Sequence, residues 1–241
     1  MKRIRLGVNI DHVATVRNAR GENYPSPLRA SKIAENSGAD SVTIHLREDR
    51  RHILDNDLKI IKKNLNIPLN LEIAATKEMI NIALKRKPNF VCIVPEKRKE
   101  ITTEGGLNLD YKTTYIKRVI NKLKKKKIRV SLFVEPSIAD IRKSKLLKAD
   151  CVEIHTGKFC DLVNKNKNTV KELNKIKKAV KLGNDVGLEV HAGHGLTFKS
   201  AKILSQVKGI KELNIGHFLI GESIFEGLEK TIKKFKKIIK R

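Results

Sequence analysis

The segment SVTIHL (41–46) is a short apolar stretch that becomes polar at its end, where His45 and Arg47 lie two residues apart. Comparable segments recur along the chain as IRLGVNI (4–10), PLNLEI (68–73), FVCIVP (90–95), RVSLFV (129–134), CVEIHT (151–156), LEVHAG (188–193) and ELNIGH (212–217). The stretches between them are long enough for one helix each. Strands that alternate with helices indicate right-handed βαβ units and a parallel sheet. Eight units in 241 residues predict an α/β protein, a (β/α)8 TIM barrel, whose active site lies at the C-terminal ends of its strands.

Apolar and polar side chains alternate within these segments. Successive side chains of a barrel strand point alternately inward and toward the helices. The predicted helix-facing set is Val8, Ile10, Ile44, Leu46, Leu71, Ile73, Val152, Ile154, Leu213 and Ile215. The opposite set carries Asn9, Asp11, His45, Arg47, Asn70, Glu72, Glu153, His155 and Asn214, and His12, His191, His194 and His217 lie near the same strand ends. Because burying polar groups without partners costs free energy, this pattern predicts a catalytic site at the barrel mouth.

The composition predicts one domain, residues 1–241, because no Pro-, Gly- or Ser-rich linker divides the chain. No apolar run approaches the roughly 20 residues that span a membrane, and we expect a cytoplasmic protein. The three cysteines, Cys92, Cys151 and Cys160, lack metal-binding spacing. We expect them to be buried or incidental thiols in a reducing compartment.

The formal net charge of +26 raises the question of nucleic-acid binding. The excess is mostly Lys, and its densest runs, KLKKKK (122–127) and KKFKKIIKR (233–241), fall on predicted outer helices. Aromatic residues make up 4% of the chain, so few rings are available to stack on bases. A solvated helix surface is therefore the favoured interpretation, and it would still attract phosphorylated anions. We expect neither a nucleic-acid partner nor a membrane partner.

Helix signals predict eight outer helices that begin near Ser26-Pro27, Asp55, Thr76, Asp110, Ser137, Asn168, Phe198 and Glu222, the last with a possible break at Gly227. Two connections are longer than a usual βα loop: DHVATVRNARGENYPSP (11–27) after strand 1 and PEKRKEITTEGGLNLD (95–110) after strand 4. We expect both to be extended loops that contact ligand, the second closing on a Gly105-Gly106 hinge. The alternative is that they pack on the surface as insertions.

Two strands carry candidates for proton transfer. His45 and Arg47 leave strand 2 on one face, and an imidazole beside a guanidinium suits proton transfer next to a bound phosphate. The alternative is a salt-bridged loop in LREDRR (46–51). Glu72 lies in the otherwise apolar PLNLEIAA (68–75), where burial would raise its pKa and suit it to general acid–base catalysis, unless it forms a structural ion pair. Glu153 fits the same argument.

Glycines follow strands 7 and 8 in HAGHGL (191–196) and NIGH (214–217). Loops after these strands often bind phosphate, because glycine lets backbone N–H groups and a helix N-terminus approach the anion. His191 and His194 could hold a metal together with Glu72. Their spacing matches no zinc pattern, and Arg20 and Arg47 would be unfavourable neighbours of a cation, so we expect no metal site.

The chain resembles the pyridoxine 5′-phosphate synthase family over almost its whole length. The matching stretches are LGVNIDHVATVRNARG (6–21), HLREDRRHI (45–53), NLEIA (70–74), VPEKRKEITTEGGL (94–107), VSLF (130–133), EIHTG (153–157), AGHGLT (192–197) and ELNIGH (212–217). The resemblance implies a ring-closing synthase of the transferase type, which uses acid–base catalysis and no redox cofactor. It condenses 1-deoxy-D-xylulose 5-phosphate with 3-amino-2-oxopropyl phosphate to pyridoxine 5′-phosphate, inorganic phosphate and water. The resemblance also implies a homo-octamer.

The resemblance assigns a role to each matching position. It implies that His45 and Glu72 accept protons, that His194 donates one, and that Glu153 stabilises the transition state. The implied contacts to the aminoketone phosphate are Asn9, Arg20, Gly195, Gly216 and His217. Those to the deoxyxylulose phosphate are Asp11, His12, Arg47, His52 and Thr102. Two dianionic substrates agree with two anion subsites, one built from Arg side chains and one from backbone at glycines.

Two other functions remain open from the residues alone. A barrel lyase such as an aldolase, or an isomerase, could act on a single sugar phosphate, although a Schiff-base aldolase would usually need a Lys inside a strand and the eight predicted strands contain none. A basic RNA-binding protein would need aromatic residues on a basic face. The organised histidines at the strand ends favour an enzyme over such a protein.

Overall fold

The computed structural model describes residues 3–96, 105–111 and 113–240. Eight parallel strands close into a barrel in chain order, and β8 pairs with β1. The strands are β1 (Arg5–Asn9), β2 (Ser41–His45), β3 (Leu69–Ile73), β4 (Phe90–Ile93), β5 (Arg129–Val134), β6 (Cys151–His155), β7 (Glu189–Gly193) and β8 (Ile210–Ile215). The predicted (β/α)8 barrel is confirmed.

Within the described ranges the chain forms eleven helices. They are α1 (Asp11–Arg20), α2 (Pro27–Asn36), α3 (Asp55–Asn64), α4 (Lys77–Arg86), α5 (Thr113–Lys125), α6 (Ile138–Leu146), α7 (Gly157–Asn164), α8 (Val170–Asp185), α9 (Phe198–Ser205), α10 (His217–Glu226) and α11 (Leu228–Ile238). The predicted break at Gly227 is confirmed, because this residue has a φ of 82° between α10 and α11. No helix of the described residues combines the length and apolarity that crossing a bilayer requires.

Three helices differ from the sequence-based expectation. The connection after β1 was expected to be an extended loop, but residues 11–20 form α1. The helix escapes a search for apolar periodicity because its buried face holds Asp11, Ala14 and Arg17, and Arg17 donates two hydrogen bonds to the Asp57 carboxylate, at 2.6 and 2.8 Å. Helix α7 follows β6 without a predicted start signal, and α10 begins at His217 rather than near Glu222.

The inward set of side chains meets inside the barrel as predicted. Glu153 on β6 accepts a hydrogen bond of 2.7 Å from Asn214 Nδ2 on β8, although the two strands are not neighbours. Cys92 Sγ on β4 lies 4.0 Å from the same carboxylate. The predicted helix-facing side chains are all buried. The three cysteines are buried free thiols, and burial raises the pKa of Cys151 to about 12.

The floor of the barrel, at the N-terminal ends of the strands, is closed by ion pairs. Arg5 Nε lies 2.6 Å from Glu212, and its guanidinium also pairs with Glu189. His191 Nε2 lies 2.8 Å from Glu189 and 3.2 Å from Arg5. The expectation that His191 belongs to the mouth is therefore wrong, because its position in β7 directs the ring toward the floor. His191 cannot join His194 and Glu72 in a metal site.

Candidate active site

The Asp11 carboxylate joins the ends of β1 and β2. Asn9 Nδ2 donates to Asp11 Oδ2 at 2.9 Å, and the Asp11 N–H donates to Asn9 Oδ1 at 2.9 Å. The His45 N–H donates to Asp11 Oδ1 at 2.8 Å. Three of the predicted site residues therefore form one hydrogen-bonded cluster, which fixes the backbone of His45 at the mouth.

The His45 ring lies between two carboxyl groups. Its Nδ1 is 3.9 Å from Glu72 Oε2, and its Nε2 is 3.5 Å from Glu96 Oε2. Glu96 also lies 3.6 Å from Arg47 Nε and accepts a hydrogen bond of 2.9 Å from the Glu48 N–H. The sequence pattern does not single out Glu96. Its only sequence signal is its position just beyond the end of β4, among other charged residues.

Burial shifts the pKa values of the carboxyl groups inside the barrel. Burial raises the pKa of Glu72 well above its usual range, and the charges of Glu153 and Asp11 raise it further. Burial also raises the pKa of Glu153, to about 7, against the opposing effects of His191 and Asn214. In Glu96 burial would raise the pKa, but the contact with His45 and the hydrogen bond from the Glu48 N–H outweigh it, and the net shift is downward. Both barrel carboxyls therefore hold protons much more tightly than Glu96 does.

His52 is fixed at the mouth by α1. Its carbonyl oxygen accepts hydrogen bonds from Arg17 at 3.2 Å and from Asn18 Nδ2 at 2.8 Å. The Ile53 N–H donates to His52 Nδ1 at 3.0 Å, so the ring proton belongs on Nε2. Burial lowers the pKa of His52, and its ring centroid lies 5.8 Å from that of His45. The positioning contribution of Arg17 has no signal in the sequence pattern, because its partners His52 and Asp57 lie on another segment.

The ends of β1 and β8 meet at a second pair of histidines. The His12 and His217 rings stack edge to face with centroids 4.8 Å apart. Burial lowers the pKa of His12, and the His217 ring lowers it further. The backbone of Gly216 approaches Asn9 so closely that an added Cβ would lie 3.1 Å from Asn9 Cβ. Four predicted contacts of the two substrates thus come together here.

The loop after β7 places two consecutive residues in the left-handed region. His194 and Gly195 both have a φ of 78°. The His194 ring lies 5.0 Å from the His155 ring, and burial, together with His155 and His217, lowers the pKa of His194 to about 4. An open cavity of about 440 Å³ lies against this loop and the start of α7. Its lining residues are His155, Gly157, Lys158, Cys160, Asp161, Asn164, His194 and Gly195.

The C-terminal base of the connection after β4 is held by Glu135. Its Oε1 accepts a hydrogen bond of 2.8 Å from the Gly106 N–H and lies 3.0 Å from His155 Nδ1. A Cβ at Gly106 would lie 2.6 Å from the carbonyl carbon of Val134. Neither Gly105 nor Gly106 is in the left-handed region. Glycine at 106 is therefore required by a close approach of two backbones, and the expected hinge at Gly105-Gly106 stays a prediction.

Two residues that were predicted to contact substrate, Arg20 and Thr102, are not found among the described residues gathered at the barrel mouth. Arg20 is exposed on the last turn of α1, nine residues beyond Asp11, which corresponds to about 13 Å along the helix axis. Thr102 lies outside the described residues. The assignments of both residues stay predictions.

Among the described residues, two clusters combine side chains of the types that bind metal ions. Atoms of Asp11, His45 and His52 lie within 4.8 Å of one another at the mouth, and so do those of Cys151, Glu189 and His191 at the floor. The Arg47 guanidinium lowers the pKa of His52 through its charge, so it would also oppose a cation there. At the floor, Glu189 already pairs with Arg5 and Arg129. The expectation of no metal stays a prediction.

Comparison with known proteins places the whole chain in one family. The family model described as "Pyridoxal phosphate biosynthesis protein PdxJ" matches residues 6–241. A pyridoxine 5′-phosphate synthase of Pelagibacter ubique is 58% identical to this chain. The aligned region covers 97% of this chain and 98% of the relative. A second synthase, from Zymomonas mobilis, is 53% identical. Its alignment covers 98% of this chain and 91% of the relative.

A distant solved structure shares the fold. The phosphoribosylanthranilate isomerase of Thermotoga maritima superposes with a TM-score of 0.63 over 98% of each chain, at 14% identity. Likeness at that identity shows the barrel alone. The family match and the two synthases carry the more specific conclusion: this chain belongs to the PdxJ family of pyridoxal phosphate biosynthesis proteins.

Proposed function

We propose that the chain is a pyridoxine 5′-phosphate synthase that acts at this barrel mouth. It condenses 1-deoxy-D-xylulose 5-phosphate with 3-amino-2-oxopropyl phosphate, closes the pyridine ring, and releases inorganic phosphate and water. The observation that carries the proposal is the set of groups with separated pKa values around one opening, on the strand ends that match the family. His45 lies beside Glu72, whose pKa is raised, and His194, whose pKa is lowered to about 4, lies after β7.

This chemistry needs several proton transfers at different atoms. An amine must add to a ketone, a carbon must be deprotonated, phosphate must leave and the ring must become aromatic. Groups with different proton affinities around one pocket suit such a series. We assign proton acceptance to His45 and Glu72, proton donation to His194, and stabilisation of the developing charge to Glu153.

Without substrate, the pKa shifts of two groups favour the opposite protonation state from their assigned roles. The raised pKa of Glu72 favours the protonated carboxyl, and His194, whose pKa is about 4, is neutral near pH 7. A dianionic phosphate bound beside Gly195 would raise the pKa of His194, and a cationic substrate amine near Glu72 would lower the pKa of that carboxyl. Substrate binding would therefore prepare both groups for catalysis.

Two kinds of anion subsite support two phosphorylated substrates. One has side-chain donors, with Arg47 and His52 after β2. The other has backbone donors, with Gly195 after β7 and Gly216 at the start of α10, where the first N–H groups of the helix point outward. We propose that the deoxyxylulose phosphate uses the first subsite and the aminoketone phosphate the second. Asn9, Asp11, His12, Arg20, Thr102 and His217 complete these proposed contacts.

The test is to supply the purified chain with each phosphorylated substrate alone and with both together. Pyridoxine 5′-phosphate and inorganic phosphate, measured by mass spectrometry and a phosphate assay, should form only when both are present. Conversion of one sugar phosphate alone would instead support the aldolase or isomerase alternative. The absence of product with both substrates would refute the proposal.

We also propose that the chain assembles as a homo-octamer. The support, beyond the family, is exposed apolar surface on α10, where the consecutive residues Ile224 and Phe225 are 74% and 87% exposed. Exposed apolar side chains of this size are typical of protein contacts when they lie together. Light scattering coupled to gel filtration should give the mass of eight chains.

A cytoplasmic location remains an expectation.

A further inference from the structure

We propose that Glu96 is a positioning residue of this site, which orients the His45 ring and at the same time weakens the hold of Arg47 on phosphate. The inference rests on the proposed functions of His45 and Arg47. Nothing in the sequence pattern or in the family resemblance above assigns a function to Glu96.

The geometry gives Glu96 three contacts to a single segment. Its side chain is 2% exposed. Its Oε1 accepts the Glu48 N–H at 2.9 Å and lies 3.6 Å from Arg47 Nε, and its Oε2 lies 3.5 Å from His45 Nε2. Glu96 follows β4, whereas its partners lie at the last residue of β2 or just after it, and β3 separates the two strands. The carboxylate therefore reaches across the mouth, with its position fixed by a backbone hydrogen bond.

The contact with His45 pairs two buried polar atoms. Glu96 Oε2 and His45 Nε2 are both buried, and neither has a hydrogen-bond partner among the residues that the structure describes. A buried atom of this kind costs free energy until it is satisfied. A small approach of the two atoms would satisfy both with one hydrogen bond, so each is the natural partner of the other.

An ionised carboxylate at Nε2 selects one form of the imidazole. The contact with His45 and the Glu48 N–H lower the pKa of Glu96 against the effect of burial, which favours the carboxylate. A carboxylate only accepts hydrogen bonds, so in the neutral ring Nε2 must carry the proton and Nδ1 must carry the free electron pair. Nδ1 is the nitrogen that faces Glu72. Glu96 thus directs the basic nitrogen of His45 toward the carboxyl group that shares its proposed chemistry.

The same negative charge has an opposite effect on binding. It lies beside the Arg47 guanidinium, which is proposed to hold a substrate phosphate. Two anions near one cation repel each other, so Glu96 lowers the affinity of this subsite while it helps the proton transfer. A merely structural residue would not produce effects of opposite sign.

The decisive variant is Glu96→Gln. The amide oxygen can still accept the Glu48 N–H, but the charge is lost. We expect kcat to fall about tenfold or more, because the orientation of the base is lost. We expect KM for deoxyxylulose phosphate, and Kd for inorganic phosphate measured by calorimetry, to fall about threefold to tenfold. Glu48→Gln is the matched control, since it removes a charge one residue from Arg47 and keeps the backbone donor; both parameters should stay unchanged.

A spectroscopic measurement tests the orientation without turnover. The chain has seven histidines, so ¹⁵N spectra can resolve the ring nitrogens of His45. The wild type should show the form protonated at Nε2, and Glu96→Gln should show a mixture. A fall in kcat with a rise in KM and an unchanged His45 tautomer would overturn the inference, as would a variant that behaves like the wild type. If the wild type itself makes no product, the proposed function fails, and the tautomer and phosphate measurements still decide the inference about Glu96.

Discussion

Replacing Glu153 by Gln should make the fold more stable at alkaline pH while it damages catalysis. Glu153 is 3% exposed, and burial raises its pKa from 4.5 to about 7. A carboxyl whose pKa is higher in the folded chain binds its proton more tightly there than in the unfolded chain. Stability is therefore highest at low pH, falls as pH rises from the unfolded pKa to the folded pKa, and stays low above it.

The size of the effect follows from that shift. Between the ordinary pKa of 4.5 and the folded value of about 7, each unit corresponds to about 1.4 kcal/mol, so ionised Glu153 costs roughly 3 kcal/mol at about pH 8. The amide carries no charge, and its oxygen can still accept the hydrogen bond from Asn214. The charge of Glu153 also contributes to the raised pKa of Glu72, so that pKa should fall in the variant. This second effect adds to the gain in stability.

Urea denaturation at about pH 5 and about pH 8 measures the difference. The variant should gain roughly 2 kcal/mol or more over the wild type between the two conditions, while turnover falls. The control is Glu229→Gln, which removes an exposed carboxylate paired with Lys233 and should leave the pH dependence unchanged. Parallel stability curves for the wild type and Glu153→Gln would show that Glu153 is ionised at no such cost and would refute the reasoning.

Three further predictions concern the mouth. Glu72→Gln should fold normally and bind deoxyxylulose phosphate, but lose about 10²-fold to 10⁴-fold in kcat, as steady-state kinetics can check; near-normal turnover would sink its assignment as a proton acceptor. His45→Asn and His194→Asn should also strongly reduce turnover, whereas His155→Asn should chiefly lower the melting temperature. A loss of turnover in His155→Asn with unchanged stability would contradict this. Gly106→Ala should cost about 1–3 kcal/mol in denaturation and raise KM, because a Cβ there overlaps the backbone of β5; a neutral result would show that the loop base adjusts freely.

The sequence predicts the barrel well because its signal is local and repeated. Period-two alternation in the segments that form β2, β3 and β6 identifies both the strands and the faces of their side chains. The parity argument correctly places Glu153 and Asn214 inside the barrel, where they form a hydrogen bond. Caps such as Ser26-Pro27 and Thr76 mark true helix starts. In these places propensity and tertiary packing agree.

The failures share a different cause: they depend on contacts between distant segments. Helix α1 has a polar buried face, whose Arg17 is satisfied by Asp57 of α3. Glu96 gains its importance from partners after β2. His191 has the residue type of a mouth residue, but its depth in the barrel directs it to Arg5 and Glu189 at the floor. The sequence pattern shows which face of a strand a side chain lies on. It does not show how deep in the barrel the side chain lies or which distant residue it contacts.

The left-handed backbone at His194 has a consequence for what the chain would become under selection for stability alone. Of the five other non-glycine residues with positive φ among the described residues, Lys87, Lys127, Lys148 and Asn166 follow helix ends, where a turn requires that conformation, and Arg50 lies in the loop after β2. His194 follows a strand, and a side chain in this region costs about 1–2 kcal/mol relative to glycine. Laboratory evolution for heat resistance without a turnover screen should therefore favour glycine at 194. The ring that persists there in the natural chain marks a position where activity has outweighed backbone strain.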